Sequence, residues 1–137
     1  RAPDEPPSRR LQLGREVAEQ CARGDIASAA QAYRRLLDIE PDAVLARQNQ
    51  LDVANQLMSD EKHAAAATAY ERFLAAYPNY EYRGDIHLML GILYGRYLQD
   101  KDRAVGYLEQ AAEHLAEESK RNLAAAELER LRQAEEE

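Results

Sequence analysis

The sequence predicts an all-α protein, an α-α superhelix of about three helical hairpins laid side by side and closed by a C-terminal capping helix. Apolar residues recur at helical spacing along most of the chain, and nowhere do β-branched or aromatic residues alternate at period two. Glycine, proline and aspartate interrupt that pattern where helices stop and start. The pattern itself returns every 37 or 38 residues. A unit that cannot hide its own apolar face must stack on a neighbour, which is how helical repeats hold together.

Pro3, Pro6 and Pro7 leave residues 1–10 without periodicity, and they read as a disordered, proline-rich linker. Residues 11–133 form the repeat domain, and 134–137 an acidic tail. After Ser8 as N-cap, Leu11, Leu13, Val17, Ala18 and Cys21 make one helical face that ends at Gly24. Asp25 caps a second helix with Ala29, Tyr33, Leu36 and Leu37, stopped at Ile39-Glu40-Pro41. A third helix begins near Pro41, with Val44, Leu51, Val53, Ala54 and Leu57 on one face, and runs to Ser59-Asp60, where a cap opens the fourth. That helix carries Ala66, Ala67, Tyr70 and Phe73 and closes at Pro78. The fifth spans about Tyr82 to Gln99, Asp102 caps the sixth, and the last runs from about Ser119 to Gln133.

The repeat is carried by Ala29, Tyr33, Leu36 and Pro41, which return as Ala66, Tyr70, Phe73 and Pro78 and again as Ala104, Leu108 and Ala111. First helices match as Val17-Ala18 with Cys21, Val53-Ala54 with Leu57, and Leu90-Gly91 with Tyr94, and the turn inside each pair differs by one residue from copy to copy. Leu90-Gly91-x-x-Tyr94 and Ala66-x-x-x-Tyr70-x-x-Phe73-x-x-x-x-Pro78 resemble tetratricopeptide repeats over about residues 11 to 133. The chain departs from that family in having Ala18 in place of glycine, no tryptophan, and the longer period. A weaker likeness links Arg72 to Tyr80 and Leu88 to Tyr94 with bacterial envelope repeats. The same stretches are similar to helical tails of membrane proteins such as rhomboid-type intramembrane serine proteases, with no catalytic residue carried over.

Composition narrows the function. Lys and Arg total 18 against 25 Asp and Glu, a net charge of -7, which disfavours nucleic acid and polybasic membrane contact. The longest apolar run, Leu88 to Gly95, is far short of a membrane span, so no insertion by this chain is expected. One cysteine, Cys21, allows no internal disulfide and reads as a small core residue. His63, His87 and His114 stand alone on separate helices as exposed or half-buried surface groups, so neither a metal site nor a cofactor is expected. No phosphate loop, nucleophile elbow or acid–base set is present, and catalysis is not expected. Glu127, three residues before Arg130, reads as ordinary surface pairing.

The expected function is protein–protein interaction. First helices of stacked pairs line an inner wall, which would carry Gln12, Arg15 and Glu19, then Gln48, Leu51, Asp52 and Asn55, then Asp85, Leu88, Met89, Ile92 and Arg96. Leu88, Met89 and Ile92 fit either an apolar pocket or burial under the closing helix. Chaperone-binding tetratricopeptide proteins clamp a terminal carboxylate with lysines, an arginine and asparagines. Arg15, Glu19, Asp52, Asp85 and Met89 stand at those places here, which favours a basic segment instead. Around Pro78, Tyr77 and Tyr80 are expected to pack between repeats, leaving Tyr82 as an exposed hot spot. The chain thus reads as a scaffold within a larger bacterial protein. The alternatives are a recruitment domain of a membrane-embedded protease and a self-assembling homodimer. The compartment, cytoplasm or periplasm, with or without a membrane tether through the parent protein, stays open.

Overall fold

A computed structural model describes residues 6–136, and among them the backbone forms seven helices and no strand. They group into two compact units, one ending at Ala76 and one beginning at Tyr77.

The first unit holds α1 (Pro6–Ala22), α2 (Ile26–Ile39), α3 (Arg47–Ser59) and α4 (His63–Ala76), each packed on the next. Helix α1 opens at Pro6, so positions 6–10 are helical rather than linker; residues 1–5 lie outside the described ones. Proline suits a first helical turn, where an N–H would lack an acceptor anyway. The α1–α2 turn is closed by Gly24 at φ +78, and the Asp25 carboxylate accepts from the Ser28 N–H at 3.2 Å. That hydrogen bond holds the Asp25 carboxyl below its usual range.

The expected third helix does not start at Pro41. Residues 41–46 are an ordered connection, because side chains satisfy their backbone before a helix can. The Tyr33 hydroxyl donates to the Ala43 carbonyl at 2.7 Å, and the Leu45 N–H donates to Gln50 Oε1 at 2.8 Å. Gln50, fully buried, also donates from Nε2 to the Tyr33 hydroxyl (3.0 Å) and to the Ala69 carbonyl (2.9 Å). Burial pushes the Tyr33 phenol up from its ordinary pKa. One glutamine therefore ties α2, the connection, α3 and α4 together.

The second unit holds α5 (Arg83–Ile92), continued as a π-helical turn over Leu93–Tyr97, then α6 (Lys101–His114) and α7 (Glu118–Glu136). Helix α5 packs on α6, and α7 packs on α6 and less extensively on α5. Asp100, not Asp102, caps α6, accepting from the Arg103 N–H at 3.2 Å. Asp60 likewise ends α3 rather than starting α4, its N–H bonding the Gln56 carbonyl.

Ala29, Ala66 and Ala104 are fully buried, as are Tyr33, Tyr70 and Leu108, and Leu36, Phe73 and Ala111 are buried beneath them. The repeat therefore marks the core as expected, and each large buried side chain contributes roughly 1.5–3 kcal/mol by leaving water. The turns do not differ in length. Each is three residues (23–25, 60–62 and 98–100), and a left-handed residue recurs at Gly24, Glu61 (φ 60) and Gln99 (φ 55). Buried Gln50, Val53, Ala54 and Leu57 are followed 37 positions later by buried His87, Leu90, Gly91 and Tyr94, yet the next turn and Ala104 come 38 positions later. The extra residue is taken up between Tyr94 and Gln99 as the π turn, the usual way a helix absorbs a one-residue insertion. At the same spacing of 37, Leu13 and Val17 correspond to Gln50 and Ala54. Val17 is fully buried while Ala18 is exposed, so the helix–helix slot assigned to Ala18 belongs to Val17.

Candidate functional site

In the first unit a groove of about 510 Å³ lies between α1 and the 43–49 segment, lined by Leu11, Arg15, Ala18, Val44, Leu45 and Asn49 among others. Leu11 is 58% exposed and Val44 43% exposed, although the sequence placed both on buried faces. Leu11 is two residues from Leu13 and six from Val17, so at 3.6 residues per turn it lies on the other side of α1 from these two, which carry the α1 contact with the core. Val44 points outward because the segment carrying it is not helical, so the period that assigned it inward does not apply. Arg10 on the rim pairs with Glu40 at 3.3 Å. The Asn49 carboxamide makes no hydrogen bond with the described residues, so both its donors and its acceptor are open to a partner.

Of the residues expected on an inner wall in this unit, only Arg15 lines the groove. Gln48 is exposed and donates to Asp52 at 2.9 Å, and Leu51 and Asp52 are half-buried. Asn55 accepts from the Tyr70 hydroxyl at 2.5 Å, and burial pushes that phenol up to about 12. Cys21 is half-buried rather than a full core residue; burial first and the nearby Asp52 charge second push its thiol up, so the thiolate nucleophile is disfavoured. A larger cavity, about 570 Å³, lies between α2 and the α3–α4 turn, lined by Gln31, Arg34, Asp38, Asp60 and Lys62 among others. Its mixed charges offer less to an apolar ligand.

In the second unit Asp85 is ion-paired with Lys120 at 3.2 Å, Leu88 is buried, and Met89 and Ile92 are half-buried. Arg96 is bound to Glu127. Tyr82, 55% exposed, meets Tyr80 edge-on at 5.7 Å and lines a cavity of about 310 Å³ with Glu81, Asp85, His114, Glu117 and Lys120. Tyr77 and Tyr80 are half-buried.

Two polar residues differ from the sequence reading. His87 is 7% exposed, stacked on Tyr107 at 6.0 Å, with Nδ1 buried and unpartnered. Burial, His114 and Arg83 all lower its pKa, so it is held neutral. Glu127 is 3% exposed, so it is an interior carboxylate and not a surface one. Its main support is Arg96, and Arg130 adds to it; together they outweigh burial and hold the carboxyl below its usual range. Neither burial could be read from sequence, because Tyr107 and His114, which pack on His87, and Arg96, the main support of Glu127, lie far along the chain.

Among the described residues no group of three or more His, Cys, Asp and Glu side chains could hold a metal ion, and no helix is long and apolar enough to cross a membrane. Stacked helical hairpins with an exposed apolar groove define a tetratricopeptide-like repeat protein, a class built to hold other proteins. The chain belongs to the YfiO family, described as outer membrane lipoproteins, whose profile it matches over residues 7–131. No curated protein matches it significantly. The family match agrees with the helical-repeat resemblance and gives no support to the rhomboid-type one.

Proposed function

We propose that this chain is a non-catalytic scaffold working beside the outer membrane, on its periplasmic side, where it docks a segment of a partner protein in the groove of the first unit. Membership of an outer membrane lipoprotein family supports the location. The exposed apolar pair Leu11 and Val44, side by side over a groove of about 510 Å³, carries the reading. Covering these two side chains supplies roughly 3 kcal/mol at about 25 cal/mol per Å², about a hundredfold in affinity. Asn49 then fixes the partner backbone through its open carboxamide. A basic segment was expected from Asp52 and Asp85, but these carboxylates hold Gln48 and Lys120, so long-range attraction by the net charge of -7 is what still favours one.

The test is photocrosslinking in the native host, with the reactive group at position 11, 44 or 34. Positions 11 and 44 should give the same discrete heavier adduct, position 34 none, and Leu11→Asp should abolish the adduct formed from position 44. Absence of adducts at 11 and 44, or equal adducts from 34, refutes the groove. An adduct of twice the chain's mass would mark self-assembly instead.

A further inference from the structure

We propose that Arg96 and Arg130 form a second docking surface, in the second unit, built to receive carboxylate side chains of an acidic partner segment. It is independent of the groove in the first unit.

Glu127 is the device that makes it. The carboxylate is 4% exposed, while the side chains of Arg96 and Arg130 are 49% and 44% exposed. Arg96 donates from Nε and Nη2 to Glu127 Oε1; Arg130 donates from Nε and Nη2 to Oε2 at 3.3 Å each, and its Nη2 also reaches the Gly95 carbonyl at 3.5 Å. A guanidinium carries five N–H donors in a rigid plane. Both Nη1 groups make no hydrogen bond with the described residues, which leaves four donors on two half-exposed side chains whose Nε and Nη2 edges are fixed. The three charges sum to +1 in a chain of net charge -7.

A buried carboxylate is costly unless fully paired. Here the pairing removes the rotamer freedom that arginine ordinarily loses on binding, so a partner meets an ordered surface. Paired planar donors match a carboxylate bidentately. The π turn adds a second observation. Arg96 and Tyr97 sit on it, it is the point where the third copy departs from the other two, and such turns concentrate at functional positions in helices. Tyr97 is 49% exposed beside Arg96, and arginine and tyrosine are the side chains that dominate interface hot spots.

The experiment measures fluorescence anisotropy of labelled hexaglutamate and hexalysine peptides with the whole chain at low salt. The net charge alone predicts that only hexalysine binds. The surface predicts that hexaglutamate also binds and shifts the Nε–H resonances of Arg96 and Arg130 and of no other arginine. Arg130→Gln keeps the Arg96–Glu127 pair and should weaken hexaglutamate tenfold or more, whereas Arg15→Gln in the first unit should leave it unchanged. No hexaglutamate binding, shifts at other arginines, or undiminished binding by folded Arg130→Gln overturns the proposal. If that variant does not fold, the resonance shifts in the unaltered chain decide.

Discussion

Replacing Gln50 by leucine keeps the side-chain volume nearly constant while removing three hydrogen bonds from the interior of the first unit. The Leu45 N–H loses its acceptor at 2.8 Å, the Ala69 carbonyl a donor at 2.9 Å, and the Tyr33 hydroxyl a donor at 3.0 Å, though it keeps the Ala43 carbonyl. Each of the three lost hydrogen bonds costs about 0.5–1.5 kcal/mol, because the Ala69 carbonyl keeps its place in the α4 ladder and the Tyr33 hydroxyl keeps Ala43. Leucine's apolar burial returns about 1 kcal/mol. The net loss is therefore about 2 kcal/mol, or roughly 7 °C in melting temperature for a chain of this length. Urea unfolding followed by helical circular dichroism measures it, and a double-mutant cycle with Tyr33→Phe should show coupling of about 0.5–3 kcal/mol. A loss under about 1 kcal/mol, or strict additivity with Tyr33→Phe, would refute the view that one glutamine locks four segments.

Other perturbations follow from the second unit. A Cβ on Gly84 would lie 2.9 Å from the His114 carbonyl carbon and 3.0 Å from the Leu115 nitrogen, backbone atoms that cannot swing aside. Gly84→Ala should thus destabilise by about 1–3 kcal/mol despite alanine's better helix propensity, measured by thermal melting. His87, whose pKa is lowered by burial, His114 and Arg83, is neutral in the folded state, so the unfolded chain takes up its proton first as pH falls. Stability should be complete above about pH 6.5 and decline below it, and His87→Gln should flatten that decline in melts run from pH 7.5 to 5.

The hairpin architecture was legible because apolar and small residues report their own burial: Ala29, Ala66 and Ala104 recur in the sequence and share the core. Tyr70 and Tyr94, placed inward by the same period, are 1% and 7% exposed. Helix ends were less legible. An aspartate signals that a cap is near but not which aspartate serves: Asp102 matches the pattern as well as Asp100, and Asp100 does the capping. A helical period carried through Val44 fails, because the backbone on either side of it is held by Tyr33 and Gln50.

By itself the sequence determined the helical class, the repeat and its core positions, because those rest on local periodicity and the transfer of apolar surface from water. The tertiary structure alone decided which polar residues are interior and which apolar ones are not. Gln50 and Ala69 are 19 residues apart, and Arg96 and Glu127 31 apart, so the hydrogen bonds that offset the desolvation of Gln50 and Glu127 come from distant parts of the chain. Where the extra residue of the third copy went was settled in the same way. Packing of α5 on α6 and α7 keeps both ends of that helix in register, and a π turn lets the backbone satisfy both.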